Sequence, residues 1–133
     1  MFELKITAKP DDIDALGHVN NAVYIRWVQE VATAHWLSAA GPHDIEACLW
    51  VVTRHEIDYL RAVAAGETVT ARTWVADAPK GARFERHVEF VGSDGKPRAR
   101  AKTVWAMIDS ASGKPMRVPP ELAARFVTPR RSP

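Results

Sequence analysis

The chain has 133 residues, 47% hydrophobic and 26% charged, with a net charge of +2. This fits a single globular domain over residues 1–133, long enough to bury roughly two-thirds of its unfolded surface, and its charge points to neither nucleic acid nor a membrane surface as partner. No run of about 18 apolar residues offers a membrane span, and Met1-Phe2-Glu3-Leu4-Lys5 has no signal-peptide character. Cys48 is the only cysteine, so no internal disulfide forms. The expected compartment is the cytoplasm.

Phe2, Leu4 and Ile6 alternate with Glu3, Lys5 and Thr7, which predicts a half-buried strand over 2–7, ended by Pro10 and Asp11. The next ten residues, Asp12-Ile13-Asp14-Ala15-Leu16-Gly17-His18-Val19-Asn20-Asn21, hold two carboxylates, a glycine, a histidine and two asparagines. An apolar-rich segment from Ala22 to Leu37 follows, with Asn20 or Asn21 as its N-cap and Gly41-Pro42 as its stop. Arg26, Gln29, Glu30 and Thr33 fall at i, i+3, i+4, i+7 and make one narrow polar stripe. So wide an apolar arc predicts a helix enclosed on most sides.

The second half reads as strands. The first runs from Leu49 to Leu60, with His55, Ile57 and Tyr59 on one face and Arg54, Glu56 and Asp58 on the other. Thr68 to Ala76 follows the Ala65-Gly66 turn, then Arg83 to Val91. Ser93-Asp94-Gly95-Lys96 is a hairpin turn leading into Arg98 to Ile108. Pro119-Pro120-Glu121-Leu122 suits the first turn of a short helix, and Thr128 to Pro133 reads as a loose tail. Hairpins imply antiparallel pairing. The expectation is a two-layer α+β domain with one long helix against a curling sheet. The order of its strands is not readable at this level.

Asp12, Asp14, Gly17, His18, Val19, Asn20, Asn21 and Tyr24, placed after one strand and before a long helix, resemble the hotdog-fold thioesterases, most closely the 4-hydroxybenzoyl-CoA thioesterase-like family. Arg54 to Leu60 is similar to that family's second strand, and the order of elements agrees over residues 2 to 127. The resemblance implies an antiparallel five- or six-stranded sheet wrapped around one central helix. It implies a homodimer or dimer of dimers with sites at subunit interfaces. It also implies hydrolysis of an acyl-CoA or acyl carrier protein thioester to an acid and a thiol, with no cofactor and no metal.

Under that resemblance Asp14 is the reacting acid, either attacking the thioester carbonyl or activating a water. Alternatively, it only complements the helix end electrostatically. The backbone N–H near Asn21 polarises the carbonyl, and Gly17 and Asn20 shape the turn; capping alone would require the same asparagines. His18 orients water, bonds the carbonyl or holds the loop, Asp12 supports the loop, and Tyr24 belongs to the matched motif at the substrate site. Glu56 reaches a neighbouring subunit's site or is an outward charge. Lys80, Arg83 and Arg86, with Arg98 and Arg100, contact coenzyme A phosphates or form a solvated face. One or two of the five tryptophans line an acyl pocket. The remaining histidines and Cys48 lack zinc-site spacing, and neither a Gly-x-Ser-x-Gly elbow nor a phosphate-binding glycine loop occurs. The rival readings are a hotdog hydratase or dehydratase and a non-catalytic acyl-thioester-binding protein.

Overall fold

The computed structural model describes residues 1–75 and 77–127; the tail expected from Thr128 onward lies outside them. Strand β1 (Phe2–Thr7) is followed by a 3-10 turn at Pro10–Asp12 and the long helix α1 (Asn21–Ala39). A short helix α2 (Pro42–Ala47) leads into β2 (Cys48–Tyr59), then β3 (Thr68–Trp74), β4 (Arg83–Val91), β5 (Pro97–Asp109) and a helical turn α3 (Pro120–Ala123). The strands form one five-stranded sheet in the order β1-β3-β4-β5-β2, antiparallel at every pairing. This is the expected α+β architecture.

Helix α2 was not expected: Gly41-Pro42 ends α1 but also starts α2, with proline in its first turn. Strand β2 pairs with β5, not with its sequence neighbour β3, and so becomes a sheet edge. A bulge at Thr53 breaks its register between Val52 and Arg54, which bends the strand and raises its twist.

The helix lies against the sheet because both surfaces match. Val69 and Ala71 on β3, Val88 and Phe90 on β4, and Ala99 and Ala101 on β5 form one buried cluster with Tyr24, Trp27, Val28 and Val31 of α1. Small alanines leave room for the Trp27 indole, which is 1% exposed. A second cluster, around Cys48, Val75, Phe84, Met107 and Phe126, packs beyond the far end of α1.

The enclosure expected of α1 is only partly met. A single sheet covers one side of a helix, and Ile25 and Leu37 are 38% and 56% exposed. The polar stripe is present, with Arg26 Nε 3.4 Å from Glu30. Among the described residues no helix is long and apolar enough to cross a membrane.

Trp27→Ala removes the largest side chain of the shared core and leaves a cavity. The expected cost is about 3–5 kcal/mol, read as a lower denaturant midpoint in urea.

Candidate active site

The loop between β1 and α1 contains a tight three-residue hairpin. Ile13 bridges Val19, the Asp14 N–H donates to the His18 carbonyl at 2.9 Å, and the Gly17 N–H donates to the Asp14 carbonyl at 3.0 Å. Gly17 sits at φ +81°, the left-handed position that such a turn gives to glycine. Asp14 holds the turn itself: its Oδ1 accepts from the Leu16 N–H at 2.9 Å and the His18 N–H at 3.5 Å. Both bonds fall on one oxygen, and Oδ2 takes none from the described residues.

Helix α1 is capped by Asn20, whose side chain accepts from the Ala22 N–H at 2.9 Å. The Val23 N–H donates to the Asn20 carbonyl. The Asn21 N–H has no acceptor among the described residues, as expected of the first turn of a helix.

Two anchors fix the loop. The Val19 N–H donates to the Val63 carbonyl at 2.8 Å, and His18 bridges Ala64. Buried Asp12 accepts from Arg26 Nη2 at 2.6 Å and from the Lys9 N–H at 2.9 Å. The Arg26 bond, then the Lys9 bond, holds its carboxyl below the usual range. Asp12 therefore ties the loop to the helix, as expected, while His18 is exposed.

Other expected site residues lie elsewhere. Tyr24 is 3% exposed, ringed by Trp27, Tyr59 and Phe90 at 5.3–5.7 Å, and burial pushes its hydroxyl up to about 12. In the single chain it is a core residue. Glu56 pairs with Arg54 and, at 3.9 Å, with Lys102 on the outer face of the sheet.

The five cations proposed together do not form one patch. Arg98 is buried against Glu67 and Asp94, and Arg100 pairs with Glu89. Arg86 is interior. Lys80 and Arg83 remain exposed at the two ends of the turn before β4, joined by backbone bonds of 2.9 and 3.0 Å.

An aromatic cavity lies away from Asp14. It has a volume of about 280 Å³ and lies between the second half of α1, the start of β2 and the strands β4 and β5. Trp36, Trp50, Trp105, Phe84 and Phe126 supply its aromatic lining; three tryptophans line it where one or two were expected. Cys48 is buried beside it and donates its thiol to the Asp44 carbonyl at 3.0 Å, and burial raises its pKa. From Asn21 to Ala32 and Trp36, α1 rises roughly 17–22 Å at 1.5 Å per residue. The loop and the cavity of one protomer therefore lie toward opposite ends of the helix.

One polar group breaks the apolar wall. Arg86 Nη1 lies 2.9 Å from His35 Nδ1 and donates to Thr73 Oγ1, also at 2.9 Å. Burial brings the guanidinium down to about 10. Burial, then the Arg86 charge, lowers His35 from 6.5 to about 4. The imidazole is thus neutral near pH 7, with Nδ1 accepting. Among the described residues no three His, Cys, Asp or Glu side chains are grouped to hold a metal ion.

One antiparallel sheet on one long helix, with an Asp-Gly-His-Asn loop at the helix start, defines a hotdog-fold domain. The family model described as the thioesterase-like superfamily matches residues 8–126, and the chain belongs to that superfamily. It is 28% identical over 79 residues to a chloroplastic acyl-[acyl-carrier-protein] hydrolase of Cuphea viscosissima; the match covers 59% of this chain but only 19% of that protein. A thioesterase of Thermus thermophilus, solved with coenzyme A and Zn, superposes with a TM-score of 0.80 at 22% identity, over 93% of this chain and 90% of that one. A 1,4-dihydroxy-2-naphthoyl-CoA thioesterase of Synechocystis gives 0.77 at 17% identity, over 89% of each. At these identities the two structures speak for the fold.

His35 sets a pH dependence of stability. Its pKa is lower folded than unfolded, so the unfolded chain binds the extra proton first. The share of stability that this group governs is full above about pH 6.5 and declines toward pH 4. The loss is on the order of 2 kcal/mol, and His35→Gln should flatten the part of the melting-temperature profile that this group causes.

Proposed function

We propose that the protein hydrolyses acyl thioesters, with coenzyme A or an acyl carrier protein as the thiol carrier. The observation that carries this is the Asp14 carboxylate, held through Oδ1 by its own turn with Oδ2 open, a few residues ahead of an unengaged helix N–H at Asn21. Membership of the thioesterase-like superfamily over residues 8–126 supports it.

Two routes use the same atoms. In one, Asp14 attacks the carbonyl carbon, the thiolate leaves, and water cleaves the resulting mixed anhydride. In the other, Asp14 takes a proton from water as that water attacks, and collapse of the tetrahedral oxyanion expels the thiolate. The Asn21 N–H, aided by the partial positive charge of the helix start, stabilises the oxyanion in both. Gly17 and Asn20 keep the turn and the cap in register, and His18 borders the site. Exposed Lys80 and Arg83 suit the phosphates of a coenzyme A carrier.

The site is completed by a second copy. Strand β2 is a twelve-residue sheet edge with Leu49 and Val51 at least half exposed, the kind of edge that pairs with another strand. The Tyr59 hydroxyl donates to the Asn21 carbonyl at 3.1 Å, so the start of α1 lies at the Tyr59 end of β2. Cys48, Leu49 and Trp50 at the other end border the cavity. Antiparallel pairing of β2 with its own copy brings the partner's Asp14 loop to this protomer's cavity. Glu56 then lies in the shared central region of the sheet.

Asn keeps the Oδ1 acceptor of the Asp14 turn and loses only the charge. Asp14→Asn should therefore melt like wild type while kcat for acyl-CoA hydrolysis falls at least about a hundredfold, near 2.7 kcal/mol. Undiminished turnover in that variant rejects the reading.

Subunit mixing tests the shared site. Thr33→Trp fills the cavity from an exposed helix position. Asp14→Asn and Thr33→Trp proteins, each inactive alone, should regain about a quarter of wild-type activity after unfolding and refolding together. Half the dimers are then mixed, and each mixed dimer has one intact site. No recovery from mixed dimers means that each protomer uses its own loop and cavity.

A further inference from the structure

Arg86 occupies an inward position of β4, in phase with Phe84, Val88 and Phe90. It is 8% exposed, and among the described residues no carboxylate pairs with it. Its two partners, His35 Nδ1 and Thr73 Oγ1, are neutral and both bond the same nitrogen, Nη1. A buried charge normally has a counter-charge, because removal from water costs several kcal/mol that neutral hydrogen bonds offset only in part.

What Arg86 leaves free is specific. Nε and Nη2 make no hydrogen bond with the described residues, and neither is sealed from solvent without a partner. Nε–H and the adjacent Nη2–H point along one edge of the guanidinium. This is the edge that binds the two oxygens of a carboxylate in parallel. Arg86 lines the aromatic cavity that receives the acyl group under the reading above. His35 and Thr73 fix the guanidinium through Nη1, and the Phe2 and Phe126 rings, each 5.0 Å from the imidazole, hold His35.

We infer that Arg86 is a specificity residue selecting thioesters whose acyl group carries a second carboxylate at its far end, on a single ring or a short chain. This rests on the thioesterase reading for the source of the ligand, though not for the carboxylate chemistry. The cavity size agrees with a small acyl group: about 280 Å³ falls just below the usual range of ligand pockets, roughly 300–1,000 Å³. A hydroxyl or carbonyl oxygen at the same point would accept a bond and leave the charge uncompensated. A methyl group would strand it.

The test is a matched pair, 4-carboxybenzoyl-CoA and 4-methylbenzoyl-CoA, assayed by thiol release. Wild type should favour the carboxylate in kcat/KM by at least about tenfold, or 1.4 kcal/mol. In Arg86→Met the ratio should fall to near one or invert. If that variant does not fold, Arg86→Lys, which keeps the charge and loses the fork, should lower the ratio at least about threefold. A wild-type ratio near one, or a ratio that survives both substitutions, overturns the inference.

A second readout separates this inference from the thioesterase reading. The cavity tryptophans report directly, so 4-methylbenzoate and its uncharged amide can be titrated by fluorescence. Saturable quenching by the carboxylate alone, lost on substitution of Arg86, upholds the site even if no thioester is hydrolysed. Equal quenching by both compounds, or none by the carboxylate, overturns it.

Discussion

The burial of one face of α1 against the small side chains of the sheet is the constraint on which everything else depends. Trp27, Val28 and Val31 fill the space above Ala71, Ala99 and Ala101, and none of the three is more than 1% exposed. Close packing of this kind leaves a helix no freedom to slide. It fixes the Asp14 turn at the start of the helix and the aromatic cavity beside its second half. The separation of roughly 17–22 Å is a consequence of helix rise, and no side-chain movement closes it. The proposed reaction, which uses both loop and cavity, therefore draws them from two copies of the chain, and the proposed seat of the second copy is the exposed edge of β2.

The polar groups follow the same logic of enforced position. Asp12 has its charge cancelled by Arg26 and its second oxygen used by the Lys9 N–H, which makes it a fastening. Asp14, two residues on, is half engaged, with one oxygen spent on the turn and the other without a partner among the described residues. Arg86 is engaged at one nitrogen by two neutral groups. The difference between Asp12 and the other two is one of completeness: a fully satisfied ionic group has nothing left for a ligand, whereas a fixed and partly satisfied one does.

Much of this was legible beforehand. The strand limits at Phe2–Thr7 and Arg83–Val91, the Asn20 cap and the helical turn near Pro120 were set by local chemistry: period-two alternation, a side-chain acceptor for a helix N–H, and proline's fixed φ. Arg86 was legible as well, since an arginine in phase with Phe84, Val88 and Phe90 marks a charge on a buried face. Grouping it with Lys80 and Arg83 by proximity in the chain ignored that alternation. The burial of Arg98 was not legible, because Glu67, one of the two carboxylates that pair with it, lies 31 residues away.

By itself the sequence determined which segments are helix or strand, where the acid-bearing turn sits, and membership of a hotdog superfamily. Each of these depends on interactions spanning a few residues or on a compact motif. Tertiary structure alone decided that β2 lies at the edge beside β5, that Tyr24 is core, and that the cavity is remote from Asp14 and contains an arginine without a carboxylate partner among the described residues. Those are properties of surfaces brought together from distant parts of the chain. Packing selects among the pairings that local preference leaves open, and no short-range rule encodes that choice.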